Sequence, residues 1–408
     1  MSSIPRRFAA TGTPSEARLL GVAGFAWLFD AMDVGMLSFI IAALKTEWNL
    51  SGIQMGWIGS ISSIGMAVGA FVFGLLADRS GRKFVLILTL LLFSLGSGFS
   101  ALATGFGFFL ILRFIIGMGL GGELPVASTL VSESVPAEKR GRIVVLLESF
   151  WAGGWILSAL ISYFIIPDFG WRAAVIIGAL PALYAIYLRW NIHDSQTFLT
   201  QRQARKTNAI KNIVTVWSKT YIRQTVMLWI LWFCIVFSYY GMFLWLPSVV
   251  VLKGFDLIHS FGYVLIMTLA QLPGYFSAAW LIEKWGRKPV LIIYLLGTAV
   301  SAYFFGTAET LAPLLTSGIL LSFFNLGAWG ALYAYSPEQY PTVIRGTGTG
   351  MAAAFGRIGG IFGPLLVGYL IARQFSITAI FSIFCASIVI AALAVLILGR
   401  ETKNKELA

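Results

Sequence analysis

The sequence predicts an all-α membrane protein in which twelve transmembrane helices form two six-helix bundles. Three observations predict this class. First, the 408 residues are 58% hydrophobic and only 11% charged, and a soluble domain could not cover its surface with so few charges. Second, the apolar residues fall in long blocks, and about 20 residues of helix cross a hydrocarbon core of roughly 30 Å. Third, the chain repeats a set of motifs at one constant spacing.

Twelve apolar blocks are long enough to form spanning helices. In chain order the predicted spans are 20–44, 54–76, 84–104, 108–131, 143–166, 171–189, 225–250, 261–282, 289–307, 311–334, 345–371 and 376–399. Residues 1–18 are polar and the first apolar block is itself of spanning length, so we expect no cleavable signal peptide. The long polar stretch from Trp190 to Arg223 predicts three parts: an N-terminal bundle (1–190), a cytoplasmic linker (191–223) and a C-terminal bundle (224–408).

The basic residues are distributed as in a membrane protein. A net charge of +12 would also suit a nucleic-acid partner, but the positions of the charges argue against one. With the N-terminus in the cytoplasm, the basic residues outside the cytoplasmic segments are Lys45, Arg172, Lys253 and Arg373 on the outer side and Arg113 and Arg357 within spans. This asymmetry follows the positive-inside rule. Because the number of spans is even, we expect both termini to be cytoplasmic.

An internal repeat divides the spans into two halves. Asp78-Arg-Ser-Gly81-Arg82-Lys83 recurs as Glu283-Lys-Trp-Gly286-Arg287-Lys288, and Glu133, Pro136, Arg140 and Gly141 recur as Glu338, Pro341, Arg345 and Gly346. Every matching position is separated by the same 205 residues. Parallel repeats of this kind are typical of alternating-access transporters.

Several motifs resemble known transporter families. The repeated Asp-Arg-x-Gly-Arg-Lys loop resembles the signature of the major facilitator superfamily. Arg113-Phe-Ile-Ile-Gly-Met-Gly-Leu-Gly-Gly122 is similar to the sugar-porter branch, and Asp30-Ala-Met-Asp33 is similar to an element of the aromatic-acid/proton symporters. Over almost the whole chain, including Phe237-Ser-Tyr-Tyr-Gly-Met-Phe-Leu-Trp-Leu-Pro247 and Ala353-Ala-Phe-Gly-Arg357-Ile-Gly-Gly360, the sequence resembles bacterial niacin transporters. After span six, His193-Asp-Ser-Gln196 departs from the sugar-porter pattern, which argues against a sugar.

The resemblance implies a multi-pass transporter of the cell inner membrane that imports nicotinate or nicotinamide together with protons. Two alternatives are another aromatic or organic acid as substrate, and an efflux pump of the same fold. We expect a monomer that binds a small molecule and needs no cofactor or metal. No nucleophile–base pair or phosphate loop is recognisable, and Gly346-Thr-Gly-Thr-Gly350 begins a span and follows no strand, so an enzyme is not predicted.

Charged residues within the spans predict the coupling site. A charge at the centre of a span costs about 2.5–3.5 kcal/mol, so it needs a partner or a cavity. From the helical rise, Asp33 and Arg357 lie roughly 18–20 Å from the cytoplasmic ends and Arg113 lies at roughly 22 Å, near the midplane. We predict that Asp33 pairs with Arg113 and exchanges protons, with Asp30 as an alternative and Glu123 as a further member. A purely structural ion pair is the competing interpretation.

The C-terminal half is predicted to bind the substrate. Arg357 lies among glycines and has no acid of its own half nearby, and a guanidinium suits a bidentate carboxylate. An ion pair with an acid of the other half is the alternative. The residues predicted to sandwich a flat ring are Trp155, Tyr239, Tyr240 and Trp329, and packing against lipid or other helices is the alternative for each. Asn325 is predicted to contact a pyridine nitrogen or a carboxamide, with Gln271 as the second candidate.

The repeated cytoplasmic loop charges predict a gate. A plain solvated loop is the alternative, but acids and arginines at a fixed spacing favour a charge network that latches the two halves together. Its predicted members are Asp78, Arg82, Glu133, Arg140, Glu283, Arg287, Glu338 and Arg345, with the shallow Glu148 as an addition.

Overall fold

The computed structural model of the protein describes residues 16–80, 82–134, 137–181, 183–184 and 209–403. Within these ranges, side chains are described except at 16–19, 22–23, 74–75, 77–79, 82–83, 86, 122–134, 137–145, 209–210 and 342. The described residues form fourteen α-helices and no β-strand.

The first half begins with four long helices and a fifth that turns back on itself. They are α1 (Glu16–Glu47), α2 (Gly52–Ser80), α3 (Arg82–Ser100), α4 (Phe106–Ser134) and α5 (Ala137–Ile177). The helix α5 contains the fifth predicted span and the beginning of the sixth. Between them Gly170 interrupts the helix with φ 76° and ψ 169°. Glycine adopts this left-handed conformation without a steric penalty. The sixth predicted span starts at this break, and its residues 182 and 185–189 lie outside the described residues.

The second half contains the remaining helices. They are α6 (Ala209–Val216), α7 (Ile222–Phe243), α8 (Leu246–Leu252), α9 (Leu257–Leu269), α10 (Gln271–Trp285), α11 (Arg287–Thr307), α12 (Leu311–Glu338), α13 (Thr342–Ala372) and α14 (Ile377–Leu398). The short helix α6 lies within the predicted linker.

Two of the predicted spans are each made of two helices. The span predicted at 225–250 divides into α7 and α8, and the span predicted at 261–282 divides into α9 and α10. Each division lies four residues before a proline: α7 ends at Phe243 ahead of Pro247, and α9 ends at Leu269 ahead of Pro273. A proline ring clashes with the carbonyl group four residues earlier and supplies no N–H, so it ends or kinks a helix there.

The helix lengths agree with the predicted membrane spans. Nine described stretches are long and apolar enough to cross a bilayer, from Gly24–Glu47 to Ile377–Leu398. The stretch Leu146–Ile177 includes the fifth predicted span and the beginning of the sixth. Two shorter apolar helices, Ile87–Ser100 and Phe106–Gly121, correspond to the third and fourth predicted spans.

The helices pack as two groups that meet along a few helices. In the first group α1 packs on α5, and α4 packs on both α2 and α3. In the second group α7 packs on α13 and α14, while α11 packs on α12 and α14. Contacts between the groups are made mainly by α2 with α13 and by α5 with α9, α10 and α12. The helices α5, α10 and α12 therefore bring side chains from both halves to one interface.

At the predicted outer end, α2 and α13 approach each other closely. A Cβ atom placed on Gly368 would lie 2.3 Å from the Gly52 carbonyl oxygen, and one placed on Gly56 would lie 2.9 Å from the Pro364 carbonyl oxygen. One turn further along, the Ser60 hydroxyl donates to the Ile361 carbonyl oxygen at 2.6 Å. Only glycine permits this backbone contact, which closes the interface between the halves at that end.

Candidate functional site: an interface between two helix bundles

The predicted pair of Asp33 and Arg113 is present in the structure. Arg113 Nη1 donates to Asp33 Oδ2 at 3.1 Å, and the two side chains are 1% and 4% exposed. The guanidinium also lies over the Phe109 ring, 5.2 Å from its centroid. Arg113 Nε and Nη2 have no hydrogen-bond partner among the described residues. This buried ion pair therefore leaves part of the guanidinium unsatisfied, and Asp33 is held by a single contact to it.

The second predicted coupling acid lies one helical turn away on α1. Asp30 is 2% exposed, so both acids are removed from water. The side chain of Glu123, the third acid predicted here, lies outside the described residues.

Arg357 faces the first half from α13 without a carboxylate partner. Its Nη1 lies 3.4 Å from the Tyr240 hydroxyl and 3.5 Å from the Met66 sulfur atom. Within the described part of the chain, Arg357 forms no ion pair. The alternative of an ion pair with an acid of the other half is therefore not seen among these residues, and the guanidinium fork is available to an anion.

An aromatic cluster joins α5, α7 and α12 beside Arg357. Its centre is Tyr239, whose ring centroid lies 4.9 Å from Trp329, 6.3 Å from Trp155 and 5.3 Å from Tyr240. The Trp151 indole N–H donates to the Tyr239 hydroxyl at 2.7 Å. Four aromatic side chains predicted at scattered sequence positions thus meet at one place, and Trp151 is a member that was not predicted. Its signal in the sequence is its position one helical turn before Trp155.

Several residues predicted at the site carry buried polar atoms that have no hydrogen-bond partner among the described residues. The residues predicted at the site that carry such atoms are Trp155 (Nε1), Gln271 (Nε2 and Oε1), Asn325 (Oδ1) and Trp329 (Nε1). All four residues are at most 5% exposed. Buried polar groups are almost always hydrogen-bonded, so several unsatisfied groups at one interface indicate a place where a ligand or water binds.

The interface is closed around a very small cavity. The cavity has a volume of about 10 Å³ and is lined by side chains that include Asp33, Ser62, Met66 and Tyr240. Such a volume holds about one water molecule. Tyr240 lines this cavity and also contacts Arg357, so the coupling pair and the predicted anion site share one wall.

A larger cavity lies elsewhere. It has a volume of about 350 Å³ at the predicted outer end, and it is lined by Ile166, Pro167, Asp256, Leu257, Ile258 and Phe261. None of the residues predicted to bind substrate or protons lines it.

The described part of the predicted gate lies within the second half. Arg287 bridges Glu283 and Glu338, with nitrogen–oxygen distances of 3.2 Å to each. Arg345 Nε donates to the Tyr340 carbonyl oxygen at 3.3 Å. These contacts join α10, α11, α12 and α13. The side chains of Asp78, Arg82, Glu133 and Arg140 lie outside the described residues, so a latch between the two halves remains a prediction.

The segment after α14 extends this network in a way that the sequence did not reveal. Glu401 accepts hydrogen bonds from the backbone N–H groups of Arg287 (3.1 Å) and Lys288 (2.9 Å), which begin α11. It approaches through Gly286, whose φ of 102° favours glycine and whose missing Cβ leaves room for the carboxylate. Burial by itself would raise the Glu401 pKa, but these and two further backbone N–H groups lower it below its ordinary value. The carboxylate thus caps the positive end of α11.

Replacing Glu401 with glutamine should destabilise the protein by about 1 kcal/mol, as expected for weakening a charged helix cap. Because the folded-state pKa of Glu401 is depressed, its contribution is complete above the unfolded-state pKa. It is lost as the pH falls through the folded-state pKa. The thermal unfolding temperature of the purified protein at neutral and acidic pH measures this. Glu309→Gln, in an exposed loop, is the control. If the difference in unfolding temperature between the wild-type and Glu401→Gln proteins does not shrink in acid, Glu401 does not cap α11.

The fold and its buried interface define a multi-pass membrane transport protein with two helix bundles, and comparisons with known proteins identify its family. The family model described as Major Facilitator Superfamily matches residues 23–276 and 260–408. The chain belongs to this superfamily, which confirms the predicted fold class. Its relatives are named as transporters, so the protein is not an enzyme.

Two relatives and one solved structure illustrate the similarity. A Bacillus subtilis (strain 168) protein, provisionally named niacin/nicotinamide transporter NiaP, is 69% identical over 96% of this chain and 98% of its own length. An Acinetobacter baylyi protein named niacin transporter NiaP is 47% identical over 95% of each chain. The inward-open xylose transporter XylE from E. coli matches with a TM-score of 0.78 at 20% identity, over 96% of this chain and 98% of its own. At that identity the XylE match concerns the fold alone.

Proposed function

We propose that the protein is an alternating-access secondary transporter that imports niacin, chiefly as nicotinate, in symport with protons. The observation that carries this proposal is Arg357, a guanidinium that lies at the interface between the halves beside an aromatic cluster and has no ion-pair partner among the described residues. A planar guanidinium binds a carboxylate through two parallel hydrogen bonds. Aromatic faces such as those of Tyr239 and Trp329 suit a flat ring. The names of two relatives, at 69% and 47% identity, support niacin as the ring acid.

Transport follows from how the interface opens. With the predicted outer end closed by α2 and α13, we propose that separation of α5 from α10 and α12 admits substrate to Arg357. The two halves then alternate around a site near the midplane. We propose that the charge network of Glu283, Arg287, Glu338 and Arg345, together with Asp78, Arg82, Glu133 and Arg140, holds the cytoplasmic end in its closed state.

Proton coupling is assigned to the N-terminal half. A carboxylate that loses its arginine contact in a low-dielectric site takes up a proton, and it releases the proton when the contact returns. Asp33 is held by one contact to Arg113, and we propose that movement of α1 against α4 makes and breaks this contact during the transport cycle. Asp30, Arg113 and Glu123 complete this proposed coupling group.

The proposal includes the arrangement of the chain. We place the bundles at 1–190 and 224–408 with the linker 191–223 between them, both termini in the cytoplasm, and a monomer in the cell inner membrane.

Uptake of radiolabelled nicotinate into proteoliposomes tests the function. We expect accumulation above that of empty liposomes, driven by an inwardly directed proton gradient and abolished when the gradient is collapsed. Unlabelled nicotinate should compete, nicotinamide should compete less because it lacks the carboxylate, and xylose should not compete. Absence of nicotinate uptake, or equal competition by benzoate, would contradict niacin as the substrate. Uptake that does not respond to the gradient would contradict only the coupling.

A further inference from the structure

Glu148 is a buried acid that is not part of the coupling pair or of the observed loop network. It lies on α5, is 3% exposed, and its Oε2 has no hydrogen-bond partner among the described residues. The Trp27 indole faces the carboxyl group without reaching hydrogen-bond geometry. No described lysine or arginine forms an ion pair with Glu148. Leaving a buried polar group unsatisfied is unfavourable, so this carboxyl group is expected to have a partner at some stage of the transport cycle.

The helical periodicity directs Glu148 towards the second half. Positions 148, 151 and 155 share one face of α5, and Trp151 and Trp155 both contact Tyr239 of α7. Glu148 lies one turn from Trp151, a rise of about 4.5 Å, towards the predicted cytoplasmic end. The Tyr275 hydroxyl on α10 and the Tyr333 hydroxyl on α12 lie near enough to be influenced by its charge. The Tyr275 hydroxyl is also buried without a described partner.

Arg357 also lies beside this cluster. Tyr333 interacts electrostatically with Glu148 and with Arg357, and Arg357 contacts Tyr240, which packs on Tyr239. The aromatic cluster therefore has a cation beside it, and a carboxyl group without an ion-pair partner among the described residues near enough to influence Tyr333. A ligand complementary to this arrangement is a flat ring with an anionic group at one edge and a hydrogen-bonding nitrogen at another.

We propose that Glu148 recognises the ring nitrogen of a pyridine carboxylate whose carboxylate group is bound by Arg357; this rests on the proposed function. One proton is shared between the Glu148 carboxyl group and the ring nitrogen, as O–H···N or as O⁻···H–N⁺. No other proton donor is required, because either the acid or the ring nitrogen supplies it. Benzoate has the same shape and the same carboxylate but no ring nitrogen, so it leaves Glu148 unsatisfied. Glu148 thereby selects for the ring nitrogen of the ligand, while Arg357 selects for its carboxylate.

Equilibrium binding of labelled nicotinate to the purified full-length protein, with unlabelled nicotinate, nicotinamide and benzoate as competitors, tests this role. In Glu148→Leu we expect the affinities for nicotinate and nicotinamide to fall about 10-fold, which is the effect of losing one hydrogen bond to a charged or strongly polar group. The affinity for benzoate should be unchanged. Glu148→Gln keeps a donor to the ring nitrogen and should retain most of the preference for nicotinate over benzoate. Ser149→Ala, next along α5, is the control for folding.

The outcomes separate this role from others. If the preference for nicotinate over benzoate survives in Glu148→Leu, or if both ligands weaken equally, Glu148 does not contact the ring nitrogen. If Glu148→Leu does not fold, Glu148→Ala and Glu148→Gln are measured in its place. Loss of the preference for nicotinate over benzoate in Glu148→Ala, or its retention in Glu148→Gln, supports the role. Equal affinities for nicotinate and benzoate in Glu148→Gln overturn it. If the wild-type protein binds neither ligand, the proposed function itself is wrong and the role of Glu148 is wrong with it.

Discussion

Replacing Arg357 with lysine should lower the affinity for nicotinate about 10- to 100-fold, which corresponds to the loss of roughly 1.5–3 kcal/mol from a charged hydrogen bond. Lysine keeps the positive charge but offers a point donor in place of the planar fork that matches both carboxylate oxygens. The measurement is equilibrium binding of labelled nicotinate to purified protein. Nicotinamide, which has no carboxylate, should lose much less affinity.

The matched control is Arg373→Lys, because Arg373 lies at the predicted outer end, where its guanidinium is over the Tyr369 ring at 5.4 Å. It should bind nicotinate as the wild-type protein does. Unchanged nicotinate affinity in Arg357→Lys would show that Arg357 is not the carboxylate anchor. An equal loss for nicotinate and nicotinamide would indicate a structural role through the contacts with Tyr240 and Met66.

The second large effect is expected for Asp33→Asn, which should abolish accumulation of nicotinate against its gradient while exchange of internal for external nicotinate continues. Asparagine cannot carry the coupling proton, but exchange needs only the movement of loaded protein between its two states. The measurement compares gradient-driven uptake with counterflow in the same proteoliposomes. Asp30→Asn is measured in parallel, since both acids are buried on α1.

Folding must be separated from coupling in this experiment. Removing one partner of a buried ion pair leaves the other charge unpaired and typically costs about 3–5 kcal/mol. The double variant Asp33→Asn with Arg113→Gln removes both charges, so it should be more stable than the single variant and still fail to accumulate nicotinate. Proton-driven accumulation that persists in both Asp30→Asn and Asp33→Asn would contradict the coupling role.

The pairing of Asp33 with Arg113 was predictable because depth in a membrane is a one-dimensional quantity. Counting residues from the ends of α1 and α4 places both charges near the midplane, and a buried charge needs a partner. The breaks ahead of Pro247 and Pro273 were also recoverable from local chemistry, although hydropathy alone merges each pair of helices into one span. The role of Glu401 was not predictable in this way. It depends on the end of α14 lying beside the start of α11, 114 residues earlier in the chain.

The aromatic cluster likewise combines a feature that the sequence predicted with one that only the fold revealed. Trp155, Tyr239 and Trp329 were predicted to share a depth, but Trp151 was not, because helix rotation decides which of two neighbouring tryptophans reaches Tyr239. In the structure both do, one through its ring and one through its indole N–H. That Arg357 and Glu148 have no ion-pair partner among the described residues likewise depends on which helices face each other across the interface.

The sequence by itself predicted a twelve-span, two-half protein of the major facilitator type and placed Asp33, Arg113 and Arg357 near the midplane. Hydropathy, charge asymmetry and the 205-residue repeat are properties of local composition and spacing, so they can be read without a fold. The tertiary structure alone decided that one cavity is lined by both Asp33 and Tyr240, the residue that contacts Arg357, that α2 and α13 touch through glycines, and that Trp151 and Trp155 both reach Tyr239. These features depend on the rotation and axial shift of packed helices, which are set by contacts between side chains from distant parts of the chain.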